Sequence, residues 1–164
     1  MDLSVYLVNH NSGTETNELD YVLNRILDYF RKGASQIIDN FRIEGWLEVE
    51  EQVVSTLLYT IERRPDLMEN KHSDQMLLAT LYYILKKHQV RFNDIIIHHQ
   101  HVNRLSNSEL KELVAFVKTP HQHINIIEFY NHHYLPFLKH SNPNSPTTHP
   151  QSQSELQLSH PGTN

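Results

Sequence analysis

Residues 73–87 read SDQMLLATLYYILKK, and this stretch decides the fold. Met76, Leu77, Leu78, Ala79, Leu81, Tyr82, Tyr83, Ile84 and Leu85 put apolar side chains around nearly the whole circumference of one helix, predicted to run from Ser73 to Lys87. A helix with no polar face has nothing to offer water, so it belongs in the middle of its domain. It is too short to span a bilayer, which takes about 20 apolar residues.

The flanking segments are one-sided and can wrap such a helix. Upstream, Leu19, Val22, Leu23, Ile26, Leu27, Phe30, Ala34, Ile37, Ile38 and Phe41 recur at three and four residues. That spacing predicts one amphipathic helix of about six turns, weakened slightly by Gly33 and broken at Gly45. Leu47, Val53, Val54, Leu57, Leu58 and Ile61 form a second apolar face, stopped near Pro65. Downstream, Phe92–Ile97 reads as a short fourth helix and Asn103–Ser108 as a turn. Ser106 with Glu109 makes a capping box, and Leu105 against Leu110 a hydrophobic staple, for a fifth helix with Leu110, Leu113, Val114 and Val117 on its buried face. Thr119-Pro120 is expected to end it. Asn125 and Glu128 start a last helix with Ile126, Ile127, Tyr130, Tyr134, Phe137 and Leu138 on its stripe. Pro136 should kink or end that helix, because it lacks a backbone donor.

No strand-like alternation competes with this pattern. The expected fold is an all-α bundle around a buried central helix, over residues 18–140. Residues 1–17 hold an apolar stretch, Leu3–Val8, then a polar one, and read as a loosely ordered arm. Residues 141–164 contain two leucines and no other large apolar residue, and read as a disordered tail.

Composition narrows the function classes. The chain has 164 residues, 38% of them apolar, and no cysteine. Disulfide scaffolds, thiol catalysis and cysteine zinc sites are therefore excluded. No signal-peptide pattern is visible, and the expected setting is soluble and intracellular. A net charge of −5 disfavours bulk nucleic-acid binding. The charge is uneven: residues 17–75 carry 7 basic and 12 acidic side chains, and residues 82–139 carry 7 basic and 4 acidic. The second half could face an acidic partner. There is no P-loop, dinucleotide fingerprint, GxSxG or HExxH, and no enzyme is expected.

Histidine is over-represented, with 13 residues, among them His98-His99-x-His101, His121-x-His123 and His132-His133. Imidazole is a common metal ligand. His98, His99 and His101 do not share a helix face, however, and histidines on loops and exposed helix faces account for them more simply; no metal or cofactor is expected. Ser145-Pro146 and Thr119-Pro120 are minimal sites for proline-directed kinases, Ser145 being the more accessible in its tail. Phosphate on Ser145 would add about −1.5 to −2 charges near the basic half.

Three segments in order resemble the B half of the retinoblastoma pocket. Asp66-Leu67-Met68-Glu69-Asn70-Lys71-His72-Ser73-Asp74-Gln75 runs into the central helix; Phe92-Asn93-Asp94-Ile95-Ile96 follows; Ile126-Ile127-Glu128-Phe129-Tyr130-Asn131 continues to Tyr134 and Lys139. The likeness covers residues 45–140 well and 18–44 in helical pattern. It implies a cyclin-like fold, a nuclear role in transcription and cell-cycle control, and a shallow groove for Leu-x-Cys-x-Glu peptides of partner proteins, transcription factors or chromatin regulators among them. Carried over, that groove would use Tyr82, Lys86, Phe92, Ile127, Tyr130, Asn131, Leu135 and Lys139. Its basic rim would be Lys86, Lys87, Arg91 and Lys139. A more remote cyclin-like adaptor for a kinase or basal transcription factor is the alternative, and a histidine-based metal-binding helical protein ranks third. No direct contact with nucleic acid or membrane is implied.

The departures also carry expectations. Asn93 stands where the family usually has lysine, which weakens the rim, and Pro136 could displace Lys139. The residues before position 45 leave no room for the A half that precedes the B half in pocket proteins. Transcription-factor segments that bind across the A–B junction are therefore expected to bind weakly or not at all.

Overall fold

A computed structural model describes residues 16–115, 117–118 and 123–140. Expectations for the arm before Thr16, the tail from Ser141, Thr119 and Ser145 lie outside the described residues.

The long first helix, α1, spans Thr16–Ile38 and tightens into a 3-10 turn at Asp39–Phe41. Gly33 contributes more than a weak helical propensity. A Cβ there would lie 2.7 Å from Leu77 Cδ2, so glycine lets α1 approach the central helix closely. Gly45, at φ 75°, makes the left-handed turn into α2, Trp46–Arg63. Arg31 on α1 lies 3.7 Å from Glu50 and 3.6 Å from Glu51, at ion-pair distance across the helix pair. The buried stripe of α2 is Val49, Val53, Val54, Leu57 and Thr60. Leu47, expected on that stripe, is instead 61% exposed. It sits in the first turn of α2, at the edge of that stripe, about 20° beyond Val54.

A 3-10 turn at Pro65–Met68 leads to α3, Ser73–Leu85. His72 caps it: its Nδ1 accepts from Asp74 N at 3.2 Å, and Gln75 Oε1 accepts from His72 N at 2.9 Å. Eleven of the thirteen residues of α3 are buried. This is the central helix that the apolar run predicts. It ends two residues early, and Lys86–His88 form an exposed 3-10 turn.

Next, α4 spans Phe92–Asn103, six residues longer than expected. The histidine cluster lies on this helix rather than in a loop, and His99 is only 1% exposed. In α5, Asn107–Ala115, the Ser106–Glu109 capping box forms as predicted, with Ser106 N donating to Glu109 Oε2 at 2.8 Å and Glu109 N to Ser106 Oγ at 3.2 Å. The helix ends at Ala115, before Thr119-Pro120. Val117–Lys118 (β1) and His123–Ile124 (β2) pair antiparallel, Val117 opposite Ile124. Two residues a side are too few to show alternation in sequence.

Asn125 caps α6, Ile126–Phe129, through Glu128 N to Asn125 Oδ1 at 2.8 Å. A π turn, Tyr130–Tyr134, follows, then α7, Leu135–His140. The helix runs on past Pro136 to His140. A proline ring collides with the carbonyl four residues back in an α-helix. The π turn, closed by Leu135 N–H to Tyr130 O, takes up that conflict upstream of it.

Candidate protein-interaction groove

Three aromatic rings from three elements meet at one end of α3. Tyr82 packs edge-on against Phe92 at 5.3 Å and against Tyr130 at 4.9 Å between centroids. The sequence placed these residues on separate helices, and the fold brings them together. All three are buried, Tyr82 at 5% exposure and Tyr130 at 0%. They are therefore the floor of this region rather than open walls. Leu135 is also buried, and Ile127 and Asn131 are half-buried. Ile127, Asn131 and Leu135 follow one another along the π-containing helix. The Asn131 Oδ1 is buried with no hydrogen-bond partner among the described residues. Lys86, one turn beyond Tyr82, and Lys139, one turn beyond Leu135, are exposed.

The expected basic rim is thinner than the sequence suggests. Arg91 is held in a two-pronged pair with Asp94, at 3.0 and 3.1 Å. That pair holds the Asp94 carboxyl below its usual range and offsets the Arg91 charge. Lys87 donates to Gln52 Oε1 at 3.0 Å, which leaves its charge intact.

Two supports of this region have roles that the sequence did not assign to them. Lys71 is 4% exposed, and its Nζ sits 4.6 Å over the Phe129 ring, beside Tyr130. Burial pushes its ammonium down to about 8, against the opposing pull of Asp66 and Glu69. The Tyr134 hydroxyl lies 2.8 Å from Thr80 Oγ1 and 3.2 Å from Thr60 Oγ1. Each threonine hydroxyl also meets a backbone carbonyl, Met76 O or Thr56 O. Either hydroxyl of each pair can donate, and the two contacts pin the π turn to α2 and α3. Burial first, and Tyr83 last, push its hydroxyl up to about 12, against the two threonine bonds.

A polar cluster occupies the opposite end of α3. Asp74 takes the Tyr29 hydroxyl from α1 and lies 3.4 Å from His99 Nε2 of α4. The histidine contact is an ion-pair distance without hydrogen-bond alignment, since neither His99 nitrogen has a hydrogen-bond partner among the described residues. Burial raises the Asp74 carboxyl, but His99 and Tyr29 outweigh it and hold it below its usual value. Among the described residues, no three histidine or acidic side chains are grouped to hold a metal ion, and no helix is long and apolar enough to cross a membrane.

A central apolar helix wrapped by amphipathic ones, with an aromatic floor between α3, α4 and the π turn, defines a cyclin-fold helical domain of the protein-interaction class. The family model for the retinoblastoma-associated protein B domain matches residues 18–139, and the chain belongs to that family. No curated protein matches it.

Proposed function

We propose that this domain binds extended Leu-x-Cys-x-Glu-type peptides of partner proteins over the face above Tyr82, Phe92 and Tyr130, as a non-enzymatic module in nuclear transcription and cell-cycle control. The observation that carries the reading is the meeting of those three rings beside a buried amide oxygen, Asn131 Oδ1, that lacks a hydrogen-bond partner among the described residues. An extended peptide presents backbone N–H groups that need acceptors once water is displaced. The half-buried Asn131 carboxamide supplies one when its unpartnered oxygen turns toward the peptide. Ile127 and Leu135 offer apolar surface for the leucine and cysteine side chains, and Lys86 and Lys139 face the glutamate.

Calorimetric titration of the full chain with a Leu-x-Cys-x-Glu peptide and its Cys-to-Ala analogue tests this. The native peptide should bind and the analogue bind more weakly. Lys86→Ala should cost affinity at low salt and little at high salt, because an exposed charge is screened over about 8–10 Å. Equal binding of both peptides, or none of either, would refute the reading.

A further inference from the structure

The first turn of α2 carries two large apolar side chains that the fold leaves uncovered. Trp46 is the single tryptophan of the chain. It is 43% exposed, and Leu47 beside it is 61% exposed. The next turns of the same helix bury Val49, Val53, Val54 and Leu57. Adjacent exposed apolar residues of this size mark contact surfaces, and tryptophan is prominent among the residues that carry binding energy.

The charge around the pair is one-sided. Residues 42–51 hold four glutamates, Glu44, Glu48, Glu50 and Glu51, against Arg42. Glu50 and Glu51 face Arg31 of α1. Glu44 and Glu48, which flank Trp46 and Leu47 in the sequence, are exposed and have no ion pair among the described residues. Glu48 Oε1 accepts from Gln52 Nε2 at 3.1 Å. Its Oε2 lies back toward the helix start, where a Cβ on Gly45 would be 4.0 Å from it. Lys87 donates to Gln52 Oε1 rather than to this carboxylate. Two carboxylates beside an open indole favour a cation: the indole face attracts it through the ring quadrupole, and the carboxylates through their charge. The same carboxylates repel nucleic acid and anionic lipid.

We propose that the first turn of α2 docks a partner-protein segment that carries lysine or arginine beside a large apolar side chain. The cation lies over the Trp46 ring, within reach of the Glu44 and Glu48 carboxylates, and the apolar side chain covers Leu47. This surface is built from other elements than the face above Tyr82, Phe92 and Tyr130, and it selects the opposite charge. An acidic Leu-x-Cys-x-Glu peptide is drawn to Lys86 and Lys139 and repelled by Glu44 and Glu48.

A single tryptophan gives a single indole N–H cross-peak in the heteronuclear spectrum of the nitrogen-labelled full chain. Titration with acetyl-Lys-Leu-Arg-Leu-Lys-amide should shift that peak saturably, and acetyl-Glu-Leu-Asp-Leu-Glu-amide should leave it in place. Glu44→Gln with Glu48→Gln should weaken the basic peptide about 3–10-fold. Leu47→Ser should weaken it at high salt as well as low, because the contact it removes is apolar. These positions are exposed, so both variants should keep the parent's helical circular dichroism. An indole peak that neither peptide moves overturns the proposal. So does a shift that the two glutamine substitutions leave unchanged. A peak that moves with protein concentration alone, while sedimentation gives a dimer, assigns the patch to a second copy and also overturns it. The indole shift with the basic peptide stands whether or not a Leu-x-Cys-x-Glu peptide binds elsewhere, so this test and the one above fail separately.

Discussion

Tyr134 and Lys71 do work in this domain that their positions in the sequence do not advertise. The Tyr134 hydroxyl ties the π turn to helices α2 and α3 through Thr60 and Thr80. Tyr134→Phe should cost about 1 kcal/mol in urea unfolding, since both threonines keep their backbone bonds. Lys71 makes stability depend on pH. Its buried ammonium gives up its proton near pH 8 in the folded chain, but only at about 10.4 in the unfolded one. Between those values the unfolded state binds more protons, so stability rises with pH. Unfolding free energy should climb by about 2 kcal/mol from pH 8 to 10, and Lys71→Met should flatten the climb. Above that window the trend reverses. Tyr29 and Tyr134 are raised to about 12, so the unfolded chain loses protons that the folded one keeps.

Among the elements, the segment bearing Tyr130 and Asn131 is held at its start by the Asn125–Glu128 capping box. Asn125→Ala should cost about 1 kcal/mol of stability by thermal unfolding. It should also weaken peptide binding, because the cap fixes the turn that leads into the groove. Helix starts of this kind were legible in the sequence, since Ser106-x-x-Glu109 and Asn125-x-x-Glu128 satisfy local donors with local side chains. The central helix was legible because an apolar circumference leaves only one place for it. Other features depend on distant contacts. His99 is buried beside Asp74, which comes from another helix. Leu47, in the first turn of α2 at the edge of its stripe, is left exposed. The π turn answers a conflict created by Pro136, and nothing in residues 130–134 announces it.

The candidate site was legible through the three family-like segments, and the Tyr82, Phe92 and Tyr130 rings do converge. Their burial was not legible, nor was the pairing of Arg91 with Asp94 that thins the basic rim. Both depend on how neighbouring helices close over one end of α3.

For the molecule as a whole, stability rests on α3. Leu78 is fully buried at its middle. Leu78→Asp should unfold the domain, since an unpaired buried charge costs several kcal/mol against a total of about 5–15. Loss of the helical circular dichroism signal would show it, whereas a folded variant with unchanged melting would argue against a central role for this helix. The proposed function rests on the same helix, because its far end carries Tyr82 into the aromatic floor. The most direct measurement is the set of nuclear Overhauser contacts between a bound Leu-x-Cys-x-Glu peptide and the full chain. The account predicts contacts from the peptide leucine and cysteine to Ile127 and Leu135, with a shifted Asn131 carboxamide. Contacts confined to another surface, such as the exposed Ile97 on α4 or Trp46 and Leu47 on α2, with the Asn131 carboxamide unmoved, would contradict it.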